Sequence, residues 1–139
     1  MLLNDLPAIK TLLTTSKTIA VVGLSPKESR PSNMVARYLI EAGYTIIPVN
    51  PGQEKILGLD CYPNLAAIPA QVDIVDIFRR SEDVPAIVAE AIAVGARAVW
   101  MQEGVSHAEA ARSAKAAGLM VVMDRCLKTM HHDIGHEQG

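Results

Sequence analysis

The sequence predicts an α/β fold in which one parallel sheet of five strands lies between two layers of helices. Short apolar runs rich in valine and isoleucine alternate with segments of helical periodicity along the 139 residues. Gly43, Gly95 and Gly118 each follow a helical segment, where a left-handed residue commonly ends a helix. The first apolar run ends at Gly23 and leads through a polar loop into a helix, which is the first unit of a nucleotide-binding sheet. Together these observations predict a three-layer, Rossmann-like fold.

Five strands are predicted from the apolar runs, because such short β-branched segments are typical of a parallel sheet covered on both faces. They span residues 18–22, 45–49, 72–78, 98–101 and 119–123. Since strands alternate with helices through short connections, we expect a doubly wound sheet with right-handed crossovers. The predicted strand order is 3-2-1-4-5.

Four helices are predicted from apolar residues at helical spacing. They span residues 6–15, 33–42, 82–94 and 107–117, with a single helical turn at 64–67. Ser106 and Glu109 have the spacing of a capping box, so Ser106 is predicted to cap the fourth helix. Residues 128–139 are expected to be a polar tail that is ordered only in part, with His131, His132 and His136 solvated or weakly metal-binding.

Composition and charge restrict the class of protein. With 50% hydrophobic residues, the chain is expected to form a single domain over residues 1–139. A net charge of -2 gives no electrostatic case for nucleic acid, and no apolar run approaches the roughly 20 residues of a membrane helix. Cys61 and Cys126 form no CxxC motif, and the first ten residues lack the basic region of a secretory signal. We therefore expect a cytoplasmic protein.

The loop after the first strand has the features of a phosphate site. Gly23 lets the chain turn and lets a ligand approach the backbone, and Ser25 contributes a hydroxyl group. Lys27 provides a point charge for phosphate, while Arg30 provides a planar fork for phosphate or for a base. The alternative is an ordinary strand–helix connection with solvated charges. Position, length and charge together favour phosphate binding.

The same loop is not the glycine-rich fingerprint of NAD-binding proteins. Ser25 and Glu28 stand where GxGxxG requires its second and third glycines. Ser32 or Asn33 is predicted to cap the following helix, whose N-terminal end favours an anion. Asn50 follows the second strand, where an acidic residue usually binds the ribose hydroxyls of NAD. The sequence therefore favours a phosphorylated ligand other than NAD.

Four further segments are expected beside this loop, because ligands of such folds bind beyond the carboxyl ends of the strands; they are residues 50–55, 78–81, 102–104 and 124–126. Lys55 is either a phosphate contact or a solvated lysine, and Phe78 packs either against a ligand or in the core. The candidate residues that these segments contribute are Asn50, Pro51, Lys55, Phe78, Arg79, Arg80 and Gln102.

Asp76 and Cys126 are the residues of this region that could take part in a chemical reaction. An aspartate within an apolar strand needs partners, so Asp76 is interpreted as a structural acid bonded to backbone amides or to an arginine. Cys126 follows the fifth strand beside Arg125 and is either a reactive thiol or a packing residue. Trp100 is predicted to lie in the core. Because no nucleophile–base pair is evident, no catalytic residue is predicted.

Five segments in order give the chain a resemblance to a known family. They are VVGLSPKESRPS (21–32), IIPVNP (46–51), VDIVDIFRRSE (72–82), AVWMQEGV (98–105) and MDRCLK (123–128). The chain resembles the small bacterial CoA-binding proteins, which are single-domain relatives of the N-terminal domain of the succinyl-CoA synthetase alpha subunit. The G-x-S-x-x-x-x-R-P-S loop and the I-F-R segment make the resemblance specific, and together the segments span nearly the whole chain.

The resemblance implies that coenzyme A binds with its ADP moiety over the first loop. It implies that Gly23, Leu24, Ser25 and Lys27 surround the phosphates, with Arg30 and Ser32 close by. Residues 50–55 would lie near the adenosine end. Phe78, Arg79 and Arg80 would border the adenine and the pantetheine arm. The resemblance does not extend to the phosphohistidine domain of the synthetase, so ligase activity is not expected.

Three functions follow from these observations. The preferred one is a nucleotide-binding module for CoA or acyl-CoA without catalysis of its own. The second is an enzyme, either NAD(P)-dependent or transferring acyl groups through Cys126. The third is a redox sensor in which Cys126 or Cys61 forms a mixed disulfide with CoA.

Overall fold

Five parallel strands form the centre of the computed structural model, which describes residues 6–137 and side chains as far as residue 135. The helices are α1 (Leu6–Thr15), α2 (Pro31–Glu41), α3 (Val84–Ala93), α4 (Ala108–Ala116) and α5 (Leu127–Glu137). The strands are β1 (Thr18–Val22), β2 (Thr45–Val49), β3 (Lys55–Ile56), β4 (Leu59–Asp60), β5 (Ile74–Ile77), β6 (Ala98–Met101) and β7 (Met120–Val122). Strands β3 and β4 form a separate antiparallel hairpin, and 3₁₀ turns lie at Leu65–Ala67 and Ser81–Asp83.

The predicted three-layer α/β fold is confirmed, but the predicted strand order is wrong. The sheet has the order β2-β1-β5-β6-β7, which is 2-1-3-4-5 for its five strands. Pro48 gives the physical reason, because proline lacks an N–H group and occurs in sheets at unpaired edges. The Val49 carbonyl accepts from Gly23 N on the side of β1, so the backbone of Pro48 faces the opposite side, where its carbonyl accepts from Tyr62 N. Strand β2 is therefore an edge strand rather than the second strand inward.

This order places the topological switch point between β1 and β5. The two strands pair in parallel, with Val22 beside Ile77, so their carboxyl ends coincide. The Phe78 amide then donates to the Val22 carbonyl at 2.8 Å. The chain leaves β1 and β5 in opposite directions, and the crevice between the two departing segments is the usual ligand position in such sheets.

Each face of the sheet has its own apolar core, as the period of two along a strand requires. Helices α1, α2 and α5 cover the face that carries Ile19, Val21, Ile74 and Trp100. Helices α3 and α4 cover the opposite face, which carries the alternate strand residues. Trp100 is fully buried, which confirms its predicted core position.

The ends of the helices agree with the predictions in part. Gly43, Gly95 and Gly118 adopt positive φ angles of 104°, 75° and 92°, as predicted for residues that end helices. The predicted capping box is wrong, because the N-cap of α4 is His107, whose Nδ1 accepts from Ala110 N at 3.1 Å. Ser106 instead donates its backbone N–H to Ser81 Oγ. The side chain of His107 therefore caps α4 in place of the predicted Ser106.

Helix α5 occupies the segment for which no element was predicted. His131 lies half-buried on this helix, and its Nδ1 lies 2.8 Å from the Tyr38 hydroxyl. Its ring packs edge-on against Tyr38 and Tyr44, so the predicted solvation of His131 is wrong. The side chain of His136 and residues 138–139 lie outside the described residues. Among the residues described, no group of three or more potential ligands could hold a metal ion, and no helix is long and apolar enough to cross a membrane.

Candidate functional site

Gly23 is the point at which the segments after β1 and β5 touch. Its φ angle is +90°, in the region that favours glycine. A Cβ atom there would overlap the Phe78 carbonyl oxygen and would lie 2.9 Å from Arg79 Cδ. The backbone itself therefore requires glycine here, in addition to any requirement of a ligand.

A network of hydrogen bonds inside the first loop holds its shape. Ser32 Oγ accepts from Ser25 N at 3.0 Å, and Ser25 Oγ accepts from Lys27 N at 3.1 Å. Asn33 Nδ2 donates to the Ser25 carbonyl at 2.9 Å. Ser32 and Asn33 therefore brace the loop and do not cap the helix as predicted; the N-cap residue of α2 is Arg30, without a side-chain hydrogen bond.

Two braces reach this loop from outside, and one of them was missed by the sequence analysis. Arg37 donates from Nε to Asn33 Oδ1 and from a terminal nitrogen to the Glu28 carbonyl, both at 2.9 Å. Asn50 Nδ2 donates to the Leu24 carbonyl at 3.0 Å, and the Leu24 side chain is fully buried. An arginine one helical turn after Asn33 was the signal for the first brace, because residues at i and i+4 are neighbours on a helix.

The loop encloses a small charged cavity of about 300 Å³, which we call the loop cavity. Its lining residues are Gly23, Ser25, Lys27, Arg30, Pro31, Ser32 and Phe78. The side chains of Lys27 and Arg30 are exposed and have no ion pair or hydrogen bond within the described part of the chain. Two uncommitted cations at the end of a parallel strand are suited to an anionic ligand.

A larger and more apolar cavity of about 520 Å³ adjoins the loop cavity, and we call it the cysteine cavity. Its lining residues are Pro31, Val35, Phe78, Arg79, Arg80, Gln102, Glu103, Val105 and Cys126. Pro31 and Phe78 line both cavities, so the two spaces are neighbours. The buried Gln102 side chain accepts from Leu127 N at 3.1 Å and thereby holds the start of α5.

A third cavity of about 310 Å³ lies on the side of β2, and we call it the proline cavity. Pro51, Pro63 and Leu65 contribute apolar walls, and Arg79 lines both this cavity and the cysteine cavity. Arg79 pairs with Asp83 at 3.5 Å, and Arg80 lies 3.6 Å from the same carboxylate. These pairs are half-exposed or exposed, and such pairs contribute little stability, so both arginines remain available to a ligand.

The structure brings together most of the predicted site residues, with three exceptions. Leu24 offers only its backbone, because its side chain is in the core. Asn50 braces the loop and lines none of the three cavities. Lys55 lies on the small hairpin, where it pairs with Asp60 at 2.9 Å, and it also lines none of them.

Asp73 and Asp76 take different roles, although they lie three residues apart. Asp73 Oδ2 accepts from Lys17 N at 2.8 Å and from Thr18 N at 3.1 Å, as expected for a structural acid. Asp76 is fully buried, and neither of its carboxyl oxygens has a hydrogen-bond partner in the described structure. The interpretation of Asp76 as a bonded structural acid is therefore wrong. Burial raises its pKa well above the ordinary value, and the nearby Cys126 thiol adds to this effect.

The two cysteines also differ in their surroundings. Cys61 Sγ donates to the Asn50 carbonyl at 3.5 Å, and burial raises the pKa of its thiol. Cys126 is half-buried, lines the cysteine cavity, and lies in a turn between β7 and α5. Of these two cysteines, only Cys126 lines one of the three cavities described above.

Comparison with known proteins gives consistent relatives. Residues 17–132 match the family model described as "CoA binding domain". The uncharacterized protein YneT of Bacillus subtilis is 43% identical over 123 residues, which are 88% of this chain and 91% of the relative. The solved structure of a hypothetical protein from Pyrococcus horikoshii OT3 is similar with a TM-score of 0.90 and 40% identity, covering 93% of this chain and 91% of that one.

A larger relative has the same segment within a longer protein. The ADP-forming acetate–CoA ligase I of Archaeoglobus fulgidus is 29% identical over 128 residues, which cover 85% of this chain. The matched part is 19% of the ligase, so most of that protein has no counterpart in the matched segment.

Proposed function

This chain belongs to the CoA binding domain family, and from this premise we propose that it binds coenzyme A at the carboxyl edge of the sheet, without turnover of its own. The observation that carries the proposal is the row of three adjoining cavities around the switch point. The loop cavity shares Pro31 and Phe78 with the cysteine cavity, which shares Arg79 with the proline cavity. Gly23 of the loop cavity also directly follows Val22 of the proline cavity, so a ligand whose diphosphate lies in the loop cavity can extend a base to one side and a flexible arm to the other.

The diphosphate of the ligand is assigned to the loop cavity. The amides of Ser25 and Lys27 already donate to hydroxyl groups inside the loop. The positive charge must therefore come from the side chains of Lys27 and Arg30, which have no other partner in the described structure. A charge-assisted contact of this kind contributes about 1.5–3 kcal/mol to binding.

The two ends of the ligand are assigned to the other two cavities. The proline cavity contains Val22, which adjoins Gly23, and its apolar walls suit the adenine base. The cysteine cavity suits the pantetheine arm, because that arm is flexible, largely apolar and ends in a thiol. Arg79 and Phe78 lie between the spaces and would contact the ligand near the middle.

The site disfavours NAD for a reason that is only partly visible in the sequence. Asn50 replaces the usual acid after β2, and its side-chain nitrogen is committed to the Leu24 carbonyl. The ribose hydroxyls of NAD would thus lack the carboxylate acceptor that Rossmann folds normally provide.

Calorimetric titration with CoA, NAD and NADP tests the proposal. We expect tighter binding of CoA than of either dinucleotide. Tighter binding of NAD or NADP would overturn it. Incubation with acetyl-CoA should release no free thiol over many turnovers, because we expect no activated nucleophile with oxyanion donors beside it among the described residues.

A further inference from the structure

We propose that Arg79 binds the 3′-phosphate on the ribose of the ligand and thereby selects CoA over nucleotides that lack this group. The identity of the ligand rests on the proposed function, whereas the choice of residue rests on where the cations of the site lie. CoA carries a diphosphate that leads to the pantetheine arm and, separately, a phosphate monoester on the ribose beside the adenine base. The cations of the loop cavity account for the diphosphate alone.

The first observation is the uneven charge of the proline cavity. The carboxylates of Glu82, Asp83 and Glu90 line this cavity, and Arg79 is the one basic residue among the described residues that line it. A phosphate placed beside the carboxylates would be repelled and would lose water without gaining a donor. A ligand whose base lies in this cavity must therefore direct its phosphates toward Arg79.

The second observation is that Arg79 lies at the boundary between the cavities. A Cβ atom on Gly23 would lie 2.9 Å from Arg79 Cδ, so the aliphatic part of the arginine packs against the Gly23 backbone. Gly23 lines the loop cavity, while Arg79 lines both the cysteine cavity and the proline cavity. In CoA the ribose joins the base to the diphosphate. With the base in the proline cavity and the diphosphate in the loop cavity, the ribose falls at this boundary, and its 3′-phosphate is assigned to the Arg79 guanidinium.

The third observation is that the guanidinium of Arg79 is only weakly engaged. Its terminal nitrogen lies 3.5 Å from Asp83 Oδ2, which is longer than an N–H···O hydrogen bond of about 2.7–3.2 Å. The Arg79 side chain is 41% exposed, so water screens this pair. A guanidinium has five N–H donors in a planar fork that fits a phosphate with two parallel hydrogen bonds. A phosphate dianion can therefore engage Arg79 at little cost.

The neighbouring cations have positions that do not fit this role. Arg80 lies 3.6 Å from the same Asp83 oxygen, but its side chain is 74% exposed and lines the cysteine cavity without lining the proline cavity. Lys55 lines none of the three cavities and pairs at 2.9 Å with a carboxylate of its own hairpin. Arg80 is thus a matched control for Arg79, because it carries the same charge at the next position in the chain.

The test compares CoA with dephospho-CoA, which lacks only the 3′-phosphate. Calorimetry measures both affinities for the parent, Arg79→Ala and Arg80→Ala at one low ionic strength, because salt screens exposed charges. We expect the parent to bind CoA at least about tenfold more tightly than dephospho-CoA, as one charge-assisted contact implies. Arg79→Ala should reduce this preference to about twofold or less, chiefly by weakening CoA. Arg80→Ala should keep the preference of the parent.

A second measurement follows the 3′-phosphate itself by ³¹P NMR of bound CoA across a pH series. The second pKa of a phosphate monoester is about 6, and a guanidinium in contact favours the dianion and lowers this pKa. The parent should lower the pKa of the 3′-phosphate relative to free CoA, and Arg79→Ala should leave it near the free value. Arg79→Lys keeps the charge without the fork, so it should keep a lowered pKa but lose part of the preference for CoA. A purely structural role of Arg79 would not change this titration.

Three outcomes would overturn the proposal: equal affinities of the parent for CoA and dephospho-CoA, a parent-like preference in Arg79→Ala, or loss of the preference in Arg80→Ala alone. If Arg79→Ala fails to fold, Arg79→Lys and the titration of the parent decide, and an unshifted 3′-phosphate pKa in the parent contradicts the contact. Equal binding of both ligands refutes this inference alone. Absence of binding by either ligand refutes the proposed function, and this inference with it.

Discussion

The loop after β1 and the turn after β7 lie at the same edge of the sheet, but they use their polar groups in opposite ways. In the loop, the backbone is internally bonded while the cations of Lys27 and Arg30 project without partners in the described structure. In the turn, buried side chains of Trp100 and Gln102 hold the backbone, and the carboxyl of Asp76, which lies beside Trp100 in the sheet, has no hydrogen-bond partner in the described structure. Exposed unpartnered charge is suited to recognising an ion, whereas a buried unpartnered acid costs stability when it ionises.

The largest effect is expected where the loop touches the segment after β5. Gly23→Val should destabilise the protein by about 3 kcal/mol or more and abolish CoA binding, because the side chain would overlap the Phe78 carbonyl at a positive φ angle. Gly118→Ala is the matched control, since Gly118 also has a positive φ angle but its Cβ would meet nothing within 4 Å. That variant should lose only about 1 kcal/mol. Urea unfolding measures the free energy of unfolding of both variants. Equal losses of stability would show that the close approach at Gly23 is unimportant.

Arg30→Ala tests whether the uncommitted charge of the loop is used for binding. We expect CoA affinity to fall by about ten- to a hundredfold, as the loss of a charge-assisted contact of about 1.5–3 kcal/mol implies. Arg112→Ala removes an exposed arginine from α4, on the opposite face, and should leave affinity unchanged. Calorimetry compares the two variants. Parent-like CoA affinity in Arg30→Ala would show that residues other than Arg30 bind the phosphates.

Asp76→Asn tests the opposite feature, the buried acid under the turn. Since the folded-state pKa is raised, the native protein keeps a proton that the unfolded chain releases above about pH 3.9. The parent should therefore lose stability relative to the variant as pH rises from about 4 through the raised pKa, by up to about 1.4 kcal/mol per pH unit. Urea unfolding of both proteins at a series of pH values gives this difference. A difference that stays constant from pH 4 to 8 would mean that Asp76 titrates normally.

The smallest effect concerns His131, which anchors α5 behind the turn. Burial lowers its pKa, and the neighbouring His132 lowers it further. A depressed histidine pKa means that its contribution to stability is complete above about pH 6.5 and is lost as pH falls through the lowered value. Thermal unfolding of the parent should show this loss as pH falls below about 6.5, and His131→Gln should show a smaller one. An identical slope in the two proteins would assign the loss to other groups.

The local pattern of apolar and polar residues was sufficient to predict most of the secondary structure. The bounds of α1, β1, β2 and β6 agree with the predicted 6–15, 18–22, 45–49 and 98–101, because buried strands and amphipathic helices have a clear period. Strand order was predicted wrongly, although Pro48 already indicated that β2 is an edge strand. Helix α5 was missed because its apolar contacts, Leu127, Met130 and Ile134, are mixed with polar residues that mark a tail by composition alone.

Some features of the candidate site were likewise predicted from the sequence, and others were found only in the tertiary structure. The sequence by itself determined the fold class, the family resemblance and the loop with its cations, since these depend on residues that are adjacent in the chain. Only the tertiary structure decided that Ser32 braces the loop, that Asp73 is bonded while Asp76 is not, and that burial raises the pKa of Asp76. The physical reason is that hydrogen-bond partners and the desolvation of a charge depend on groups as far as 56 residues away, and neither leaves a local pattern in the sequence.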